Sequence, residues 1–255
     1  YLSAVLLLTL LVVSCGDKDP GTTPSSKANI NFKVNVMAGD APFSLNKPFV
    51  LADGQEYSMD LVKFYLSDLT LIKDDGSRQT MKELLFIDLD EEILEPYDKS
   101  SIGTAFTFEV PAGNYKALEL GVGVPKRMNV VSNNYDNDHP LSIYRGTDWS
   151  WAGYRFIMLE GKSKYNNSTN TTGFSYHIAS DTFYQQVKLS KNINIAAGQT
   201  QDLVLNVNIN KLLQPGADVE KIDPVKESIT HSEGTEEKIN LAWKVSRNFA
   251  NAVGL

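Results

Sequence analysis

The sequence predicts an all-β protein, a β-sandwich of about ten mostly antiparallel strands with a short C-terminal helix. The first observation is a series of short runs in which apolar and polar residues alternate with the two-residue period of a strand. The second is that Gly, Pro, Asn and Asp residues typical of turns separate these runs. The third is a helical spacing of apolar residues near the C-terminus. Many short strands in one continuous pattern are typical of a sandwich.

The predicted strands follow one another along the chain at hairpin spacing. Residues 30–36 alternate cleanly, which indicates a strand with one buried and one solvated face. In residues 57–72 the alternation is broken near Ser67, which predicts a β-bulge. Residues 210–213 predict a single helical turn, and residues 239–250 predict the terminal helix. The other predicted strands are residues 81–89, 105–110, 115–124, 148–161, 174–178, 184–189, 192–196 and 201–209.

The run DWSWAGYRFIMLEG, residues 148–161, is the most aromatic part of the chain. With a two-residue period, both of its faces are largely apolar, which predicts one central strand covered on both sides. Trp149 and Trp151 would then share a face. Two tryptophans so close together are unusual, because each buried indole N–H needs a hydrogen-bond partner.

The N-terminal region predicts export and lipid anchoring. Residues 1–14 are almost wholly apolar and match the core of a signal peptide whose basic start is missing. They end at Cys15, in a VVSC sequence that resembles a bacterial lipobox, so Cys15 is the predicted lipid anchor. We therefore divide the chain into the signal peptide, a lipidated flexible tether over residues 15–27 and a folded domain over residues 28–255. The predicted location is the bacterial outer membrane, on its periplasmic or cell-surface face.

Composition excludes several classes of function. The net charge is −7 and no basic cluster occurs, which argues against a nucleic-acid partner. The sequence has no Gly-rich phosphate loop, no GxSxG, HExxH or CxxC motif and no EF-hand spacing. We therefore expect a protein that is not an enzyme. The acidic residues 88–92 lack the glycine and spacing of a calcium loop, and a solvated loop is the better interpretation.

Histidine is informative because the chain has only three. His177 lies on a predicted strand face between Ser175 and Ala179, small side chains that leave room for a ligand. His231 and His139 lie in polar segments. Each histidine alone is more often a surface residue or one with its hydrogen bonds satisfied. Two imidazoles brought together with no thiolate nearby would suit copper or zinc.

Seven motifs of the chain belong together, and the most specific is WSWAGYRFIMLEG, residues 149–161. The others cover nearly all of the predicted domain: FYLSDLTLIKDDG (64–76), LLFIDL (84–89), PAGNY (111–115), GVGVPKRMN (121–129), FSYHIA (174–179) and SRNFANAV (246–253). With these motifs the chain resembles the MbnP-like family of bacterial lipoproteins, which is associated with methanobactin copper handling.

The resemblance implies a β-sandwich with a histidine-based copper site. It also implies a dihaem, MbnH-like oxidase as partner, which in relatives converts a tryptophan near that site to kynurenine. His177 matches the family's strand histidine, Trp149 and Trp151 match its paired tryptophans, and His231 matches more loosely. The sequence departs from the family at Asp148, where a methionine is usual, and its spacer before Gly153 is one residue short.

Two functions therefore remain open at the level of the sequence. The first is a non-catalytic, lipid-anchored envelope protein that binds copper through His177 and His231 near Trp149 and Trp151. The alternative is a surface adhesin or glycan-binding lipoprotein without metal. In that protein, the two tryptophans and Tyr154 would form an exposed stacking platform.

Overall fold

The computed structural model describes residues 27–89, 104–132, 134–166, 168–214, 216 and 219–255. The predicted signal peptide, the predicted lipid anchor Cys15 and all of the predicted tether except Lys27 lie outside the described residues, as does most of the acidic segment at 88–92. In the described part of the chain, no helix is long and apolar enough to cross a membrane.

The described residues form two β-sheets, two α-helices and two short 3₁₀ turns. The helices are α1 (Ile209–Leu213) and α2 (Glu236–Ala252), and the 3₁₀ turns are Ile143–Arg145 and Asp181–Phe183. The strands are β1 (Lys27–Ala38), β2 (Ala41–Pro42), β3 (Phe49–Val50), β4 (Glu56–Lys73), β5 (Arg78–Asp88), β6 (Thr104–Pro111), β7 (Gly113–Val122), β8 (Asp148–Trp149), β9 (Gly153–Lys164), β10 (Thr172–Ala179), β11 (Gln185–Ile195), β12 (Thr200–Asn208), β13 (Ile229–Thr230) and β14 (Val253–Gly254).

The smaller sheet has five strands and is built on β1. Its order is β14–β12–β1–β2, and β6 also pairs with β1. β1 and β12 are parallel, whereas β6 and β2 run antiparallel to β1. Ile30, Phe32 and Val34 are buried and alternate with less buried residues, so the predicted two-sided character of this strand is confirmed.

The larger sheet has nine strands and carries the residues of interest. Its order is β11–β7–β4–β9–β10–β13, with β3 and β5 paired to β4 and β8 paired to β9. β10 and β13 are parallel. The register of β4 against β7 shifts between Ser67 and Thr70, where Asp68 has a φ of 50°, which confirms the predicted bulge.

A single apolar cluster joins the two sheets and the buried side of α2. Phe249 of α2 packs on Phe64 of β4, with ring centroids 5.0 Å apart. The predicted all-β sandwich with a C-terminal helix is therefore confirmed. The helix is longer than predicted, because it begins directly after Thr235 with Glu236 and Glu237, whose charges suit the positive end of the helix dipole.

The predicted continuous strand over residues 148–161 is wrong in its first part. The structure has a hairpin, in which β8 ends at Trp149 and the chain turns before it enters β9 at Gly153. Trp149 then pairs with Gly153 across the hairpin. Gly153 has a φ of +86°, and a Cβ there would lie 2.2 Å from Oδ1 of Asn129, so the turn requires glycine. Trp149 and Trp151 therefore do not share the face of one strand.

Candidate metal site

His177 lies near the end of β10, on the face that points away from the main apolar cluster. Its strand neighbours Tyr176 and Ile178 belong to that cluster, and alternation along a strand places His177 on the opposite side. His177 is nevertheless only 9% exposed. On this second buried face of β9 and β10, His177 is the direct cross-strand partner of Met158. We call this the site face, and we call the opposite side of the same two strands the core face.

His231 reaches His177 because β13 runs parallel to β10. Thr230 pairs with Tyr176, and His231 follows immediately. The chain is held there by Ser232, whose hydroxyl donates to the carbonyl of His177 at 3.0 Å and accepts the N–H of Ala179 at 2.8 Å. These bonds explain why a segment with little sequence pattern comes close to a particular strand residue.

The structure brings both histidines of the predicted pair together with Trp149. The rings of His177 and His231 stack with centroids 5.0 Å apart and planes 14° apart. The indole of Trp149 meets both rings edge-on, with centroids 5.9 Å from each. Nε2 of His231 is buried and has no hydrogen-bond partner. A buried polar nitrogen without a partner is costly, and such atoms are rare in folded proteins.

His177 is oriented by Glu160, its neighbour on β9. Nε2 of His177 lies 2.7 Å from Oε1 of Glu160 and 3.5 Å from the hydroxyl of Ser175. Burial lowers the pKa of His177 below 6.5, although the contact with Glu160 acts in the opposite direction. Burial thus favours the neutral imidazole, whose contact with Glu160 is a hydrogen bond. A carboxylate only accepts, so Nε2 donates and Nδ1 keeps the lone pair.

Trp149 and Trp151 form a stacked pair on the hairpin, with ring centroids 5.3 Å apart. The guanidinium of Arg155 lies 5.2 Å from the ring of Trp149, a cation–π contact. Arg155 also donates to the carbonyls of Gly146 and Thr147, and so ties the hairpin to the preceding loop. Trp149 is thus covered on several sides, whereas Trp151 is 50% exposed.

The aromatic residues do not form the three-ring platform that a glycan-binding protein would use. Tyr154 is fully buried, and its hydroxyl donates to the carbonyl of Leu141 at 3.1 Å. Trp149 is covered by Trp151 and Arg155. Only Trp151 presents a large part of its ring, so the predicted exposed platform of all three residues is wrong.

The remaining histidine has different neighbours. His139 stacks on Tyr135 with centroids 4.0 Å apart, and its Nδ1 accepts the N–H of Leu141 at 3.0 Å. Burial lowers the pKa of His139, and nearby carboxylates such as Asp138 act in the opposite direction. Its acceptor nitrogen is occupied by the backbone, so His139 has a structural role in the loop.

Glu160 and Arg155 were not singled out by the sequence analysis, although both lie in the aromatic motif. The available signal was strand period: Glu160 is two residues from Met158, so the two positions share a face. Within the described residues, no group of three or more His, Cys, Asp and Glu side chains is arranged to hold a metal ion. Among these residue types, the site brings together the two imidazoles, with Glu160 hydrogen-bonded to His177.

Comparisons with known proteins agree with this architecture. The solved structure of MbnP from Methylosinus trichosporium is similar to this chain, with a TM-score of 0.50 and 11% identity, over 78% of this chain and 82% of that one. At that identity the likeness concerns the fold. A comparison with curated proteins gives no match. A family model described as MbnP matches residues 25–232. That match spans most of the sequence and includes both histidines and both tryptophans of the site, so the chain belongs to the MbnP family.

Proposed function

We propose that this protein is a non-catalytic, lipid-anchored component of the bacterial cell envelope that binds copper through His177 and His231. The observation that carries the proposal is the buried, unpartnered Nε2 of His231 beside the ring of His177. This nitrogen has no hydrogen-bond partner in the fold, and it would gain a partner by donating its lone pair to a metal ion. The lipid anchor rests on Cys15 and its lipobox-like sequence.

The donor set fits copper. Imidazole nitrogen is a good ligand for copper and must be neutral to bind, which agrees with the lowered pKa of His177. A ring nitrogen binds a metal in the plane of its ring. Because the two rings are nearly parallel, one of them would have to turn for both to hold the same ion. In this proposal copper is the cargo of the protein.

The residues around the pair would support the ligands. Glu160 holds Nε2 of His177, which leaves Nδ1 to face an ion; a carboxylate behind a histidine ligand raises its basicity and holds its orientation. Trp149 lies against both imidazoles and limits the access of water to them. A dry, shaped pocket favours retention of a bound ion.

Membership of the MbnP family supports a link to methanobactin-associated copper handling and a dihaem, MbnH-like oxidase as partner. Trp151 is the part of the tryptophan pair that such a partner would meet first, because half of its surface is exposed. Trp149 lies directly behind it and touches both histidines. The pair would thus connect the protein surface to the copper site.

Copper titration of the purified protein tests the proposal. The wild type is expected to bind one Cu(I) in competition with a chelator of known affinity. His177→Ala and His231→Ala should each lose most of that affinity, because each removes one of two ligands. His139→Ala is the matched control and should bind as the wild type does, since His139 is engaged by Leu141. Equal copper affinity in the wild type and His177→Ala would contradict the proposal.

A further inference from the structure

A groove of about 830 Å³ lies between α2 and the segment 220–229, and neither His177 nor His231 lines it. Most of the side chains that line this groove are charged or carry a hydroxyl or amide group, and its apolar lining consists of Ile229, Leu241 and Trp243. The volume is that of a site for a small organic molecule. The lining suits a polar ligand, because covering polar groups with an apolar molecule costs free energy.

Both walls of the groove are held in place by contacts within the protein. On the side of the segment, the hydroxyl of Tyr176 donates to the carbonyl of Glu227 at 2.8 Å, and Nδ2 of Asn248 donates to the carbonyl of Glu220 at 2.8 Å. On the side of α2, Leu241 is 4% exposed and belongs to the apolar cluster. The groove is therefore preformed, as most sites for small molecules are.

The groove contains cations that the fold leaves without a carboxylate partner. Lys244 is paired, since its Nζ lies 2.5 Å from Oε1 of Glu227. In the part of the chain that the structure describes, Lys238 and Arg247 have no such ion pair. The guanidinium of Arg247 instead lies 5.0 Å from the ring of Trp243. Because Asp and Glu outnumber Lys and Arg by 31 to 24 in this chain, two unpaired cations in one groove are unexpected.

The neighbours of Arg247 indicate what the groove would bind. An exposed lysine or arginine is ordinarily solvated, but the ring of Trp243 restricts the guanidinium of Arg247 and leaves its N–H donors available. A guanidinium held in this way matches two oxygens of a carboxylate or phosphate group. Glu220 and Glu237 line the same groove, and carboxylates accept hydrogen bonds from hydroxyl groups. The ligand that fits both sets of side chains is an anion that also carries hydroxyl groups.

We propose that this groove binds an acidic sugar. Its carboxylate or phosphate group lies on Arg247 and Lys238, and its hydroxyl groups form hydrogen bonds with Glu237 and Asn240. The groove does not include the histidine pair or Trp149, so this proposal is independent of copper binding.

Titration of protein labelled with ¹⁵N at its three tryptophans tests the proposal, because Trp243 lies against Arg247. The variant Trp243→Phe assigns the indole N–H signal. Glucuronate and glucose 6-phosphate are the two probes, and their relative affinities show whether the site prefers a carboxylate or a phosphate. At least one of them should shift the Trp243 signal until it saturates and leave the signals of Trp149 and Trp151 in place. Glucose, which has no charge, and inorganic phosphate, which has no sugar, should bind at least about 10-fold more weakly.

Substitutions of Arg247 test its role directly, and the fold should tolerate them because this side chain is exposed. Arg247→Gln is expected to weaken binding of the acidic sugar by about 10–100-fold, the effect of losing hydrogen bonds between charged groups. Arg247→Lys should lose less, because it keeps the charge but not the paired donors. The matched control is Lys47→Gln, since Lys47 is a cation 5.6 Å from the ring of Phe49 and outside the groove. This control should bind as the wild type does, and Cu(I) affinity should be alike in all four proteins.

Three results would overturn the proposal. One is a Trp243 signal that responds to neither acidic sugar. Another is equal affinity for an acidic sugar and for glucose or inorganic phosphate, because the groove would then not recognise charge and hydroxyl groups together. The last is wild-type affinity for the acidic sugar in Arg247→Gln.

Discussion

Both faces of the β9–β10 pair contain buried residues, but the chemistry of the two faces differs. The core face carries Leu159 and Tyr176, which are fully buried and belong to the apolar cluster that joins the sheets. The site face carries the buried Met158 and His177 and the partly exposed Glu160, and the rings of Trp149 and His231 lie against that of His177. Burial alone therefore does not identify the core of this protein.

The difference has an energetic meaning. Apolar burial contributes about 25 cal/mol per Å² and is the main source of stability, so the core face supports the fold. Polar groups on the site face cost free energy unless they are hydrogen-bonded. Glu160 satisfies Nε2 of His177, but Nε2 of His231 is left without a partner. The unpartnered nitrogen of His231 lowers the stability of the fold, so the site face has a role other than stabilising it. Metal binding is such a role.

The largest expected effect comes from shortening a side chain on the core face. Leu159→Ala should destabilise the protein by about 2–5 kcal/mol, because it leaves a cavity in a fully packed cluster. Leu159 is 0% exposed and adjacent to Met158, so Met158→Leu is the control on the other face of the same strand. That variant should cost less than about 1.5 kcal/mol. Urea unfolding followed by circular dichroism measures both.

For copper affinity, the larger loss is expected from the variant on the site face and the smaller loss from the variant on the core face. Leu159→Ala should bind Cu(I) as the wild type does while it remains folded, and His177→Ala should bind it more weakly. If Leu159→Ala and His177→Ala lost the same stability and the same copper affinity, the contrast between the faces would fail.

A smaller effect is expected where the hairpin folds over the site face. Gly153 and Gly146 both have positive φ, +86° and +62°. A Cβ at Gly146 meets nothing within 4 Å, so Gly146→Ala carries only the backbone penalty, about 1–2 kcal/mol. Gly153→Ala must also displace Asn129, whose Oδ1 would lie 2.2 Å from the new Cβ, and should cost more. The free energy of unfolding in urea is the measurement.

The two glycine variants should also differ in copper binding. Gly153→Ala should move Trp149 away from the histidines and weaken copper binding, whereas Gly146→Ala should not. Equal losses of stability in the two variants would show that Asn129 does not hold the turn as tightly as its hydrogen bonds to Ala152 and Tyr154 indicate.

The strands were predictable because their signal is local. The alternation of apolar and polar residues occurs in consecutive positions, and it predicted both β1 and the bulge in β4. The hairpin at Trp149 was not predictable in this way. Its residues are apolar on both faces, which is equally typical of a central strand, and the turn depends on Asn129, a residue far away along the chain.

The site was predictable only in part, for the same reason. His177 could be selected because Ser175 and Ala179 leave room beside it on a strand. His231 has no local pattern, and its approach to His177 comes from the parallel pairing of β13 with β10, which connects distant segments. Met158 has the hydropathy of a core residue, so its position on the site face became visible only through the register of β9.

The smallest expected effect concerns the accessibility of the tryptophans. Trp151 is 50% exposed, whereas Trp149 is covered by Trp151, Arg155 and the histidine rings. The remaining tryptophan, Trp243, is half-buried and lies beneath Arg247, 5.0 Å from its ring. Acrylamide should therefore quench mainly Trp151, and Trp151→Phe should remove most of the quenching slope. Trp149→Phe should leave most of that slope in place, because the indole it removes contributes little to it. If the two variants reduced the slope equally, Trp149 would be as open to solvent as Trp151, and the hairpin would not shield the site face.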